Sequence, residues 1–235
     1  MRKYLVAIAA IATVAIASNS VFASVTRPKL SFIKDGGATI GWSTTGGSSP
    51  SDPYPNSSSI RIVAPAGGGA SAYTYGASEA LVDIRGRHLN QIDRLGFDSS
   101  GYLGNGAPRI SLGTTGPGGE HTFFLSAYYC NNSIGGGWRT SDFVDSALSP
   151  GTSTGGALGG CYVFDQNGVP YGPDGLTSVA SAFPNDVVVS NPNDWFLIQD
   201  ESPATLNVDR LTVEHWMWVR GGNNGAVNCS NLGCI

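Results

Sequence analysis

Two tryptophans near the carboxyl end of the chain have the spacing that points most directly to a ligand. In the run Leu211–Val219, apolar and polar side chains alternate, and Trp216 and Trp218 fall on the polar side together with Glu214. Because side chains alternate across a β-strand, a single strand here predicts two adjacent indoles on an exposed face. Such rings suit the apolar face of a sugar. Burial of both tryptophans in the core is the alternative.

Arg109 is a further candidate for ligand binding. It opens the strand-like run Arg109–Leu112, in which Ile110 and Leu112 share one face and Arg109 lies on the other. Its guanidinium can hold a ligand carboxylate or pair with a carboxylate on a neighbouring strand. The predicted ligand-binding set is therefore Arg109, Glu214, Trp216 and Trp218.

Motifs for catalysis and metal binding fail in their context. Gly151–Gly155 matches G-x-S-x-G but lies in a Gly/Ser/Thr-rich loop, without the strand and helix of a nucleophile elbow. His88, His121 and His215 are far apart, and the segment from Asp165 lacks the EF-hand pattern and favours a hairpin turn at Asn167 and Gly168. We predict no catalytic residues and no cofactor, while a structural calcium site formed by scattered loop aspartates stays open.

The remaining carboxylates are dispersed along the chain, among them Asp142, Asp186 and Asp209. A glycoside hydrolase needs two carboxylates on either side of the scissile bond. The sequence does not show whether any of these carboxylates converge. An enzyme is thus an alternative, and a non-enzyme is favoured.

Four cysteines, Cys130, Cys161, Cys229 and Cys234, are typical of a disulfide-bonded exported protein. Three pairings are available, and the spacing is a poor match to a zinc site. We predict Cys130–Cys161 and Cys229–Cys234. Residues 131–160, between the first pair, are rich in glycine, which favours a surface excursion rather than a sheet.

The amino terminus is typical of a secretory signal peptide. Arg2 and Lys3 precede an apolar run over residues 5–17, which is too short to cross a membrane. We predict cleavage after Ala23, a single domain over residues 24–228 and a disulfide-pinned tail over residues 229–235. The mature chain is then secreted or periplasmic, with no membrane span.

Composition favours an all-β domain. Only 13% of the 235 residues are charged, 33 are glycine, and the formal net charge of −4 disfavours nucleic-acid binding. Short β-like runs alternate with Gly- and Pro-containing turns, as in sandwiches and barrels. Helical turns are expected only within Glu79–Leu89 and Leu176–Phe183.

Three short segments resemble uncharacterised secreted bacterial proteins with jelly-roll β-sandwich domains: GNGAPRISL (Gly104–Leu112), WRTSDF (Trp138–Phe143) and LNVDRLTV (Leu206–Val213). The last is also similar to the closing strand of carbohydrate-binding modules of the galactose-binding-like type. The resemblance implies an antiparallel two-sheet jelly-roll sandwich with a sugar-binding face and a calcium site, and it brings no catalytic residues.

These observations together predict an exported, non-catalytic recognition module whose partner is extracellular carbohydrate or a cell-surface polymer. A jelly-roll enzyme that degrades polysaccharide and a structural surface-matrix protein are the alternatives.

Overall fold

The computed structural model describes residues 29–52, 58–75, 84–104, 106–146, 159–189, 197–199, 203–219 and 227–229. Within these ranges, short strands pair antiparallel into two sheets that pack against each other. The all-β antiparallel sandwich is confirmed, while the jelly-roll strand order stays a prediction. The predicted signal peptide, residues 1–23, lies outside the described residues. No helix in the described ranges is long and apolar enough to cross a membrane.

The described strands follow one another along the chain with one short α-helix, α1 (Leu176–Ala182), among them. They are β1 (Lys29–Asp35), β2 (Thr39–Ser43), β3 (Ser59–Ala64), β4 (Gly69–Tyr75), β5 (Leu95–Gly101), β6 (Arg109–Gly116), β7 (Gly119–Ser126), β8 (Asn132–Gly135), β9 (Trp138–Asp142), β10 (Val163–Asp165), β11 (Pro170–Tyr171), β12 (Val187–Val188), β13 (Leu197–Gln199), β14 (Ala204–Val213), β15 (Trp216–Trp218) and β16 (Val227–Asn228).

Each sheet combines strands that are distant in sequence. Sheet A has the order β1-β4-β13-β6-β7-β10-β11, with β12 also paired to β6. Sheet B has the order β16-β15-β14-β5-β9-β8, and the β2–β3 hairpin joins it through β14. The long strand β14 is central to sheet B, because it pairs with β3, β5 and β15.

Period-two alternation sends one face of each sheet into a shared core. In sheet A, Ile110 and Leu112 of β6 are buried there, as are Phe123 and Leu125 of β7. In sheet B, the buried apolar side chains of β3, β5 and β14 serve the same purpose, and they include Ile60, Ile62, Leu95, Phe97, Leu206 and Val208. The other face of sheet B is therefore available for polar side chains.

Several sequence expectations on local structure are confirmed. Helix α1 lies within the expected segment Leu176–Phe183, and β10 and β11 form the hairpin expected around Asn167 and Gly168. Within Glu79–Leu89, residues 79–83 lie outside the described ranges, and a 3-10 turn begins at Leu89.

The disulfide Cys130–Cys161 is confirmed, with an S–S distance of 2.03 Å. Cys229 is buried, and Cys234 lies outside the described residues, so Cys229–Cys234 stays a prediction. The expected surface excursion over residues 131–160 is wrong for its first part. Strands β8 and β9 form a hairpin of sheet B there, because glycines 135–137 adopt the positive φ angles that a tight connection needs.

Candidate functional site

The outer face of sheet B carries a row of polar side chains that crosses four strands. Phe97 of β5 points into the core, so its neighbour Asp98 points to the opposite face. Asp98 is in register with Asp209 of β14 on one side and with Thr140 of β9 on the other. Thr140 in turn is in register with Asn132 of β8. We call these four side chains the polar row.

A β-bulge in β14 adds a guanidinium to the polar row. The register between β14 and β5 shifts between Asp209 and Thr212, and Arg210 has a positive φ of 48°. Strict alternation would direct Arg210 into the core, since Asp209 points outward. Because of the bulge, Nη1 of Arg210 instead lies 3.2 Å from Oδ2 of Asp98, and the two side chains form an ion pair. Bulges commonly redirect a side chain in this way.

Residues 44–52, which we call the strap, lie against the polar row. The backbone N–H of Ser49 donates to Oδ2 of Asp209 at 2.8 Å, and its hydroxyl donates to Oδ2 of Asp98. Asp98 and Asp209 are each 1% exposed. A single serine of the strap thus links two buried carboxyl groups that belong to neighbouring strands.

The two carboxyl groups have different electrostatic surroundings. Burial raises the pKa of Asp209 to about 7, the charges of Asp52 and Asp98 add to the rise, and backbone N–H donors oppose it. Burial also raises the pKa of Asp98, but the Arg210 guanidinium and the Ser49 hydroxyl favour the charged form. Near neutral pH, Asp209 is therefore only partly ionised.

A groove of about 520 Å³ lies beside the polar row. Gly96 forms part of its lining and lies so close to β9 that a Cβ there would overlap the Ser141 carbonyl oxygen. The groove also contains the side chain of Ile134. Its polar lining includes Asp98, Asn132, Thr140, Asp142, Arg210 and Thr212. Hydrogen-bond donors and acceptors thus converge on one depression.

The expected exposed pair of tryptophans is wrong. The chain turns at Glu214 and His215, and Trp216 and Trp218 belong to the returning strand β15, opposite Val213 and Leu211. The two indoles therefore share the core-facing side of that pair, and their exposed fractions are 6% and 0%. The prediction assumed one continuous strand, in which Trp216 and Trp218 share a face with Glu214. The turn starts a new strand, and its tryptophans lie on the face that points to the core.

Neither Glu214 nor Arg109 lines the groove. Glu214 is buried in the turn before β15, where it accepts a hydrogen bond from the Asp93 N–H at 3.0 Å and lies 3.5 Å from Nη1 of Arg87. Arg109 belongs to sheet A, where Nη1 donates to the Gly106 carbonyl at 2.6 Å and the guanidinium lies over the Phe124 ring. The four candidate residues from the sequence are thus not brought together around one groove.

Sheet A has a buried acidic group of its own. Oδ2 of Asp186 lies 2.7 Å from Nδ1 of His121 and accepts a hydrogen bond from the Thr114 hydroxyl at 2.7 Å. The His121 ring packs against Phe183, with centroids 4.6 Å apart. His121 therefore has a buried carboxyl group as its partner.

The fold and the groove define this protein as an all-β sandwich with a polar depression on one outer face. Comparison with known proteins finds no matching family, curated relative or solved structure. The resemblance to jelly-roll and galactose-binding-like proteins therefore stays a prediction. In the described part of the chain, no group of three or more His, Cys, Asp or Glu side chains is arranged to hold a metal ion.

Proposed function

We propose that this protein is an exported, non-catalytic recognition module that binds extracellular carbohydrate or another cell-surface polymer in the groove of sheet B. The observation that carries the proposal is the polar row beside this groove, in which four strands contribute one side chain each. Sugar hydroxyls donate and accept hydrogen bonds at once. The carboxylate, guanidinium, amide and hydroxyl groups of the lining provide the acceptors and donors that sugar hydroxyls need. Ile134 offers an apolar contact for the face of a sugar ring.

The charge of the groove favours a neutral polymer over a polyanion. Two guanidiniums line it, and one of them, Arg210, is already paired with Asp98. Four carboxyl groups line it as well: Asp93, Asp98, Asp142 and Asp145. A phosphate or sulfate chain would meet this surplus of negative charge, whereas a hydroxyl-rich chain would find acceptors.

The contacts of the carboxyl groups favour binding over proton transfer. Asp98 is held by Arg210 and by the Ser49 hydroxyl. Oδ1 of Asp142 accepts hydrogen bonds from the N–H groups of Val144 at 2.9 Å and Asp145 at 2.8 Å. Groups fixed in this way orient a ligand well, but a general acid or base must exchange its proton with the substrate.

One observation favours an enzyme as the second candidate. Asp98 and Asp142 line the same groove from neighbouring strands, and they are diagonal neighbours in the register. Diagonal positions are about 7–8 Å apart, which is within the range for the two carboxyls of an inverting glycoside hydrolase. Burial raises the pKa of Asp142, as a general acid requires. An assay for newly released reducing ends separates the candidates, since our proposal predicts none.

Export follows from the signal-like residues 1–23 and agrees with the Cys130–Cys161 disulfide, because such bonds persist mainly in oxidising compartments. We expect the protein recovered outside the cytoplasm to begin at Ser24. Amino-terminal sequencing checks this expectation. A chain that retains Met1 in the cytoplasm would contradict it.

A glycan screen of residues 24–235 tests the binding proposal. We expect retention of at least one neutral polysaccharide and about fivefold weaker binding by Asn132→Ala, since one hydrogen bond contributes about 1 kcal/mol. Ser133→Ala is the matched control, because Ser133 is the exposed neighbour on the same strand and does not line the groove. Equal loss in both variants, or no binding to any glycan or polymer tested, would reject the proposal.

A further inference from the structure

The strap forms part of the groove as well as covering the polar row. Ser51 of the strap contributes to the groove lining, two residues from Ser49, which holds both buried carboxyl groups. Gly46, near the start of the strap, lies so close to Asn207 that a Cβ there would overlap the side-chain amide. The position of the strap therefore decides the position of one groove wall.

Ser49 bonds the strap to two neighbouring strands of sheet B. Within the strap, the Asp52 N–H donates to the Ser49 carbonyl at 3.0 Å and the Ser51 N–H donates to the Ser49 hydroxyl at 3.1 Å. These local bonds shape a turn around Ser49. The docking of that turn onto β14 and β5 passes through Asp209 and Asp98.

The charged groups around Asp209 are unbalanced. Asp98 lies in register with it on β5, and the charge of Asp52 in the strap also acts on it. The cation on its own strand, Arg210, is bound to Asp98. On β3, the guanidinium of Arg61 is directed to the Asn207 side chain, with 3.3 Å between Nη1 and Oδ1. The N–H groups of Ser49 and Arg210 favour a negative charge on Asp209, but burial and the two neighbouring carboxyl groups outweigh them and raise its pKa.

We propose that the strap is a pH-dependent wall of the groove, docked on the polar row while Asp209 carries a proton and loosened once Asp209 ionises. An ionised Asp209 beneath the docked strap would be a third buried negative charge beside Asp98 and Asp52, whereas undocking admits water to it. The effect on ligand binding rests on the proposed function of the groove, but the movement of the strap does not.

The direction of the effect follows from linkage. With the strap docked, burial holds the pKa of Asp209 at about 7, above its ordinary value of 3.8 in water. Docking thus takes up a proton between these two values. The docking equilibrium weakens as the pH rises from about 4 to about 7 and is constant above that.

Hydrogen exchange of the ligand-free chain, corrected for the intrinsic rate at each pH, tests the proposal. We expect protection of residues 44–52 to fall by about tenfold between pH 5.5 and 6.5, and to be constant between pH 8 and 9. The β6–β7 hairpin serves as the internal reference. In Asp209→Asn, which imitates the protonated group, the strap should stay protected at every pH. Glu120→Gln, an exposed change in sheet A, should keep the wild-type profile.

Two results would overturn the proposal: strap protection in the wild type that does not change with pH, or an Asp209→Asn profile that coincides with the wild type. The wild-type profile alone decides the matter if Asp209→Asn does not fold. Glycan binding measured in parallel keeps the two claims apart. If strap protection depends on pH but no glycan binds, only the proposed function of the groove is rejected. If a glycan binds but strap protection does not depend on pH, only the proposal about the strap is rejected.

Discussion

Each sheet of this sandwich buries aspartate, but the groups that face the carboxyl group differ between the two sheets. In sheet A, Asp186 is met by two potential donors, the His121 ring and the Thr114 hydroxyl. In sheet B, Asp209 accepts hydrogen bonds from the N–H groups of Ser49 and Arg210, but it lies in register with a second carboxyl group, Asp98. Buried polar groups stabilise a fold when their partners match them, and unmatched ones have a cost.

This difference between the two aspartate clusters indicates that a ligand site is to be sought on sheet B rather than on sheet A. The Asp186 cluster is closed, because its partners are complementary and the Phe183 ring packs on His121. The Asp98 and Asp209 pair lies beside a groove and beneath the strap, and the charges of Asp98 and Asp52 both raise the pKa of Asp209. Of the two carboxyl groups, Asp98 lines the groove, and a few polar groups placed in this way are what orient a ligand in a binding site.

The largest expected effect comes from Asp209. Its pKa lies at about 7 in the folded chain against an ordinary value of 3.8, so the folded state retains the proton more strongly. Stability is therefore greatest at low pH and is lost as the pH rises from about 4 to about 7, by about 4 kcal/mol in total. We expect Asp209→Asn to remove this pH dependence.

Urea unfolding at pH 4 to 8 measures this effect. Acidic groups distant from Asp209 titrate alike in wild type and variant, so the difference between the two curves reports Asp209 together with its coupling to Asp98 and Asp52. A difference in unfolding free energy that is the same at pH 5 and pH 8 would show that Asp209 titrates normally, and the comparison between the sheets would lose its basis.

A slightly smaller effect is expected in sheet A. Asp186→Ala leaves the His121 ring and the Thr114 hydroxyl without their shared buried acceptor, and we expect a loss of about 3 kcal/mol in unfolding free energy. The exposed Glu120 on the same hairpin provides the control, since Glu120→Ala should change stability by less than about 0.5 kcal/mol. Equal effects of the two changes would mean that the Asp186 cluster is not a stabilising unit.

The smallest expected effect is that of Thr140→Val in the polar row. The Thr140 hydroxyl is bonded to Asp98, and a single bond of this kind contributes about 1 kcal/mol. We expect a loss of that size in urea unfolding together with weaker glycan binding. An unchanged affinity with the expected loss of stability would assign Thr140 to the fold alone.

Local patterns in the sequence predicted much of the fold. The alternation in Arg109–Leu112 predicted β6, and the helical turns expected within Leu176–Phe183 correspond to α1. Such patterns depend only on neighbours along the chain. The prediction failed at Trp216 and Trp218, where the turn at Glu214 and His215 lacks the glycine or asparagine that usually announces a hairpin.

The candidate site was beyond local patterns for a different reason. Asp209 was noted only as one of several dispersed carboxylates, and Asp98 was not singled out. Their juxtaposition depends on the register of β14 against β5, and the redirection of Arg210 depends on a bulge in that register. The strap adds a hydrogen bond between residues distant in sequence, from the Ser49 N–H to Asp209. Alternation of Leu95 and Phe97 around Gly96 is the one sequence signal that places Asp98 outward.

The most direct test of the central claim is the footprint of a bound glycan. Amide chemical shifts of the isotope-labelled chain, recorded during titration with a polysaccharide from the screen, report which strands the ligand contacts. The account predicts shifts at residues 96–98, 132–142 and 210–212, and unchanged shifts around Asp186 and His121 in sheet A. Shifts centred on sheet A, with the groove of sheet B unperturbed, would contradict it.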